Sequence, residues 1–183
     1  MSNPGKVYWD SCTYIDYLRG DHPRKAEMEM IIEDWKAGRV TMVTSALTIA
    51  EVVFIRCAPD GTRTYLDAPE EAKMRDLFQP PQSQPFVVVE LTRDRALAAR
   101  ALVWRSQNAI KPKDAVHVVS AIDARCDVLQ TNDDEMVKMS GQAGGLPPLR
   151  IEYPSWTRQL EIVSAEEADV PASFTSLTDS TDD

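Results

Sequence analysis

Short β-branched runs alternate along the chain with stretches whose apolar residues recur every three to four positions. Val7, Tyr8 and Trp9 read as a buried strand ending at Asp10. Ser11 or Thr13 can then cap a helix that turns Tyr14, Ile15, Tyr17 and Leu18 inward and stops at Gly20. A second helix is expected over residues 23–37, with Met28, Ile31, Ile32 and Trp35 on one face. Residues 40–44 form the next strand. Ser45 opens a helix expected to carry Leu47, Ala50, Val53 and Phe54 on its apolar face, with Glu51 in its middle. Residues 58–64 read as a loop, 69–78 as a helix, 80–85 as a Pro-rich linker inside the domain, and 86–91 as a core strand. Thr92 can cap a helix reaching Trp104 or Ser106.

The stretch from Lys111 to Asp133 concentrates the chemistry. Pro112 suits the first turn of a helix, where its missing N–H would have had no partner. Asp114 stands at that start, and Ala115, Val118, Val119 and Ile122 follow at helical spacing. Val128 and Leu129 make a short strand, ended by Thr131, Asn132 and Asp133. Residues 141–148 are turn-rich, and 149–153 are expected to add an edge strand. Strands alternating with helices imply an α/β fold with a mostly parallel central sheet and helices on both faces. In such sheets, sites form beyond the carboxyl ends of the strands. Asp10, Glu51, Asp114 and Asp133 can all face one such crevice. Glu51 is the hardest to explain otherwise, because an acid among apolar neighbours needs a partner.

Composition narrows the classes. The 183 residues, 43% of them hydrophobic, suit one well-buried domain, and no apolar run approaches a membrane span. Residues 1–150 are expected to form that domain, and 151–183 a C-terminal extension with an acidic tail of disordered character. The cysteines Cys12, Cys57 and Cys126 are isolated and odd in number, which fits inert thiols in a reducing, cytoplasmic setting. The net charge of −9 argues against a nucleic-acid substrate, but residues 165–183 hold six acids and no Lys or Arg. The rest, with 20 basic and 23 acidic side chains, carries only −3. A polyanionic substrate therefore stays open.

Converging carboxylates raise one another's pKa and favour a cation among them. An acidic cluster without Cys or several His suits Mg²⁺ or Mn²⁺, one or two ions, better than zinc. Such ions can activate water and hold a phosphodiester. Ser11, Thr131 and Asn132 are placed to orient the carboxylates, and His117, one turn after Asp114, is expected to pack structurally. Asp16 is assigned to the surface. Arg19, Arg24, Lys25, Lys111 and Lys113 are candidate phosphate contacts. A strand-end Asp also opens phosphatase and phosphoacceptor folds. However, Cys12 stands where a dehalogenase-like phosphatase needs its second Asp, and the acidic pair and late Lys of a receiver domain are missing.

Tyr8 to Leu18, Thr44 to Val52, Lys113 to Ile122 and Leu129 to Asp133 together resemble the four blocks of the PIN-domain ribonucleases, a family that includes the VapC-type toxins. The resemblance covers roughly residues 6–140. It implies a PIN-like three-layer α/β/α sandwich and a Mg²⁺- or Mn²⁺-dependent endoribonuclease. Asp10, Glu51, Asp114 and Asp133 match the acidic positions, and Ser11 and Thr131 the supporting hydroxyls. Met136 stands where relatives often place an aromatic. The resemblance further implies a homodimer and a small antitoxin that reaches the acidic cleft, where its Arg or Lys can displace metal. The alternatives are a PIN-like assembly module that leaves its metal chemistry unused, and a housekeeping RNA-processing nuclease without an antitoxin.

Overall fold

The computed structural model describes residues 5–57, 62–106 and 109–156. Five strands form one parallel sheet: β1 (Gly5–Trp9), β2 (Val40–Ser45), β5 (Phe86–Val89), β6 (Val128–Gln130) and β7 (Arg150–Glu152), in the order β5-β2-β1-β6-β7. Between them run the helices α1 (Ser11–Arg19), α2 (Lys25–Lys36), α3 (Ala46–Glu51), α4 (Ala68–Phe78), α5 (Arg93–Arg105), α6 (Pro112–Asp123) and α7 (Asp134–Val137). A separate antiparallel pair, β3 (Phe54–Cys57) and β4 (Arg63–Tyr65), follows α3.

Successive side chains of a strand point to opposite faces, and β1 uses both faces for core. Val7 and Trp9 join Tyr14 and Leu18 of α1, Met28, Ile31 and Trp35 of α2, and Met74 and Leu77 of α4. Tyr8 points the other way, into the layer built from Ala99 and Leu102 of α5 and Ala115 and Val118 of α6. The result is the expected three-layer sandwich. Because β1 is central and buried on both faces, its C-terminal end is a rigid place from which to present Asp10. Trp9 secures this end further, donating from Nε1 to Gln130 Oε1 at 2.8 Å across to β6. Gly20 ends α1 at φ 71°, a left-handed conformation that an L side chain resists.

Three expectations need correction. The helix after β2 does not continue to Phe54. It ends at Glu51, and Phe54 instead pairs with Tyr65 in the β3–β4 hairpin. Part of the expected 58–64 loop is therefore strand, with Arg63 and Thr64 in β4; residues 58–61 lie outside the described residues. The Phe86 run is an edge strand ending at Val89, with Val87 and Val88 left 40% and 37% exposed. β-branched composition alone does not distinguish edge from centre. The strand expected over 149–153 is present as β7, at the opposite edge of the sheet and crossing residue 150, where the domain was expected to end. The acidic tail from residue 165 lies outside the described residues.

Candidate active site

Four elements deliver the four acids to the carboxyl end of the sheet. Asp10 follows β1 and caps α1, accepting from Thr13 N at 3.0 Å. Glu51 is the last residue of α3. Asp114 lies in the first turn of α6, and Asp133 caps α7 just beyond β6. Capping and convergence are thus not alternatives here, since Asp10 and Asp133 do both.

Short hydrogen bonds tie Asp10 to Asp133 and hold Glu51 beside Asp10, while Asp114 is coupled to Asp133 through charge. Thr131 Oγ1 donates to Asp10 Oδ2 at 2.6 Å and accepts from Asp133 N at 3.0 Å, so one hydroxyl sets two of the acids. Thr13 Oγ1 also donates to Asp10, at 2.9 Å. Ser11 Oγ donates to Glu51 Oε2 at 2.7 Å, tying Glu51 to the residue beside Asp10. Ser11 and Thr131 therefore stand where supporting hydroxyls were expected.

Asn132 does not. Its amide donates to Asp16 Oδ2 at 2.9 Å and reaches none of the four acids through a hydrogen bond. Asp16 in turn is not a surface acid. Its side chain is only 14% exposed and pairs with Arg19 as well as Asn132.

Two residues emerge that the sequence reading left out of the site. His117 is buried, and its Nε2 lies 3.1 Å from Glu51 Oε2. Its Nδ1 lies 3.0 Å from the Tyr8 hydroxyl. With that hydroxyl donating to Nδ1, the Nε2–H is left to donate to Glu51. The spacing of His117 from Asp114 was the available signal, because it puts both residues on one face of α6. The second is Cys12, whose Sγ lies 2.9 Å from Asp10 Oδ2 and 3.3 Å from Thr131 Oγ1. Burial and the neighbouring Asp10 push this thiol well up, so it stays protonated and donates to the carboxylate.

Electrostatics distinguishes the acids. Burial pushes Glu51 up, but hydrogen bonds from His117 and Ser11 outweigh it. The positive charge that His117 can carry and that of Lys113 act in the same sense, and the carboxyl is brought down to about 2. Asp114 moves the other way. Burial raises it, Lys113 opposes, Asp133 adds to the rise, and Lys111 and His117 hold it back. Lys113 Nζ lies 3.6 Å from Glu51 Oε1, and Lys111 Nζ lies 3.9 Å from Asp133 Oδ2. Ammonium groups thus supply the positive charge that these acids demand. As the side chains stand, no three His, Cys, Asp or Glu among the described residues surround one point. The donor chemistry nevertheless fits a hard divalent ion, because every acid offers carboxylate oxygen and the set lacks thiolate.

Of the other candidate phosphate contacts, Arg19 pairs with Asp16 and Asp21, Arg24 lies over the Tyr153 ring at 3.9 Å, and Lys25 pairs with Glu29. Only Lys111 and Lys113 of the five are ion-paired to the acids of the site. A pocket of about 260 Å³ opens beside them, lined by Ala109, Ile110, Lys111, Asp114, Glu135 and Met136. Among the described residues, no helix is long and apolar enough to cross a membrane.

A parallel sheet that presents acids from the ends of its strands defines an α/β protein with its site at the carboxyl edge, the architecture of many hydrolytic folds. The particular family follows from comparison: the PIN domain model matches residues 7–142, and the chain belongs to that family. Comparison with curated proteins yields no significant match. Among solved structures, the chain is similar to a DNA-bound VapBC from Salmonella typhimurium, at 17% identity and a TM-score of 0.52, covering 81% of this chain and 98% of that one. It is also similar to VapC20 of Mycobacterium tuberculosis, described as a sarcin–ricin loop cleaving toxin. That match has 13% identity and a TM-score of 0.52, covering 71% and 92% of the two chains. A third similar structure is VapBC2 of Rickettsia felis bound to promoter DNA, at 14% identity and a TM-score of 0.52, covering 80% and 98%. At these identities the likeness is one of fold.

Proposed function

We propose that the chain is a Mg²⁺- or Mn²⁺-dependent endoribonuclease, the toxin of a toxin–antitoxin pair, acting as a cytoplasmic homodimer. The observation that carries this reading is the supporting network that holds Asp10, Glu51 and Asp133 at the sheet edge of a PIN domain, with Asp114 presented beside them from α6. Thr131 serves Asp10 and Asp133, Ser11 and His117 serve Glu51, and α6 supplies Asp114. An assembly module has no need of a carboxylate held by a buried imidazole, which favours the nuclease. The toxin assignment draws on the VapC and VapBC structures that share the fold.

Asp10, Glu51, Asp114 and Asp133 would hold one or two ions. When bound, the metal supplies an activated water and charge neutralisation for the phosphodiester. The chain's part is to fix the ligands. Asp10 is locked through both oxygens by Thr13, Thr131 and Cys12, so its position costs little reorganisation. Glu51 stays ionised at neutral pH because of its donors. Lys111 and Lys113 can turn from the acids toward substrate phosphate once metal neutralises the cleft. In-line attack by water leaves a 5′-phosphate and a 3′-hydroxyl. Incubating the protein with mixed RNA in Mn²⁺ and analysing the fragment ends tests this, and 2′,3′-cyclic phosphate ends would contradict it.

A further inference from the structure

The exposed face of α5 has no role in the site described so far. Residues 93–113 hold six basic side chains (Arg93, Arg95, Arg100, Arg105, Lys111 and Lys113) and one acid, Asp94. This net of +5 leaves −14 for the remainder of a chain at −9. Net positive charge is thus gathered in α5 and the first residues of α6, a distribution that composition as a whole conceals. Two of the arginines are engaged, Arg95 with Asp123 and Arg93 with Asp94. Arg100 and Arg105 are exposed and have no side-chain partner among the described residues. Between them in the helix stands Trp104, 84% exposed; Trp9 and Trp35 are buried and Trp156 half-buried.

The placement of this face matters as much as its charge. The Arg95–Asp123 pair joins the start of α5 to the end of α6, and the two helices pack against each other. They therefore run antiparallel, and the end of α5 stands beside the start of α6. Trp104 and Arg105, in the last turn of α5, accordingly stand at the same end of this helix pair as Lys111, the N-cap of α6, and Asp114 in its first turn. Arg100 and Trp104 are four residues apart and neighbours on the helix surface. An exposed large aromatic beside one arginine and followed by another, at the helix end nearest the acids, has the composition of a single-strand platform, where bases stack and phosphates track the charge.

We propose that this face of α5 binds a single-stranded segment of RNA, with a base stacked on Trp104 and phosphates held by Arg100 and Arg105, guiding the strand past Lys111 and Lys113 to the four acids. The inference rests on the nuclease reading above. A second copy of the chain suits the face less well. A two-fold contact would set each basic helix against its own copy and bring like charges together.

The test uses the full chain carrying Asp10→Asn, which holds cleavage off, in Mn²⁺ with a fluorescein-labelled single-stranded RNA of about 12 nucleotides and mixed sequence. Binding should quench tryptophan emission. Trp104→Ala should weaken affinity roughly fivefold to a hundredfold, the range that stacking one base is worth, and Trp104→Phe should recover part of the loss. Replacing both Arg100 and Arg105 by Gln should lower the slope of log affinity against log salt by roughly 0.7 per charge removed. All variants should sediment like the parent. If the parent binds RNA and these variants match it, the surface proposal fails while the nuclease reading stands. If Trp104→Ala changes the sedimentation and leaves RNA affinity intact, the face belongs to a second copy and the proposal is overturned. If the parent binds no RNA, the surface proposal fails, and the nuclease reading is judged separately by cleavage with the wild-type chain in Mn²⁺.

Discussion

Replacing Asp10 by Asn should abolish RNA cleavage while leaving the protein folded. Asn is as good a helix cap as Asp, so α1 keeps its start. Thr13 N and Oγ1 can still donate to the amide oxygen in the place of Oδ1. The new amide nitrogen faces Thr131 Oγ1, which can accept from it and from Asp133 N together. What is lost is the negative charge and a metal-ligating oxygen. Partners outside the ligand set are typically worth about 10–100-fold in metal affinity or activity, so removing a ligand should cost more than ~100-fold. Thermal melting beside a cleavage assay separates the two effects. A collapse of the melting temperature would make Asp10 mainly a structural cap, and unchanged cleavage would remove it from the site.

Replacing His117 by Leu should give the second large effect. The substitution leaves Glu51 without one of its two hydrogen-bond donors and removes the imidazole partner of the Tyr8 hydroxyl, which keeps Ser45 and Thr48 beside it. A lost buried hydrogen bond costs about 0.5–1.5 kcal/mol, so some stability is lost whatever His117 does for catalysis. The discriminating readout is the Mn²⁺ concentration needed for half-maximal cleavage. If His117 positions Glu51, the Leu protein should need roughly 10–100 times more metal, and His117→Gln, which keeps a donor toward Glu51, should recover part of that loss. A Leu protein that melts earlier with an unchanged metal requirement would confine His117 to packing.

The two substitutions also mark what was legible in the sequence. Asp10 and Asp133 were visible because a strand-end acid before a helix is a local pattern, and Asp114 because an acid in the first turn of a helix is one too. The order and type of most elements were legible for the same reason, their hydrophobic periods being local. His117 was visible only as a polar residue on the face of α6 that carries Asp114. Its job depends on Glu51, 66 residues away, and on Tyr8, 109 residues away. Asp16 was misread for a similar reason, since Asn132, which covers it, is 116 residues distant. Glu51 was singled out correctly as an acid needing a reason, although the supposed mid-helix setting was wrong. The spacing of Leu47, Ala50, Val53 and Phe54 fits a longer helix, but pairing of Phe54 with Tyr65 draws the chain out of it at Glu51. Asn132 turns to Asp16, and Arg19, Arg24 and Lys25 turn to neighbours outside the four acids, directions that local pattern does not reveal. Sequence fixes how near a side chain is along the chain, not which partner it turns to.

The central claim is that Asp10, Glu51, Asp114 and Asp133 act by holding a divalent ion that cleaves RNA. The most direct measurement is cleavage of mixed RNA by protein stripped with EDTA and then titrated with Mn²⁺ or Mg²⁺, with free Mn²⁺ followed by electron paramagnetic resonance in the same samples. The account predicts no cleavage in EDTA, saturable recovery with added metal, and loss of both Mn²⁺ uptake and recovery in the Asp10→Asn and Asp114→Asn proteins. Cleavage that persists undiminished in EDTA and in those variants would contradict it.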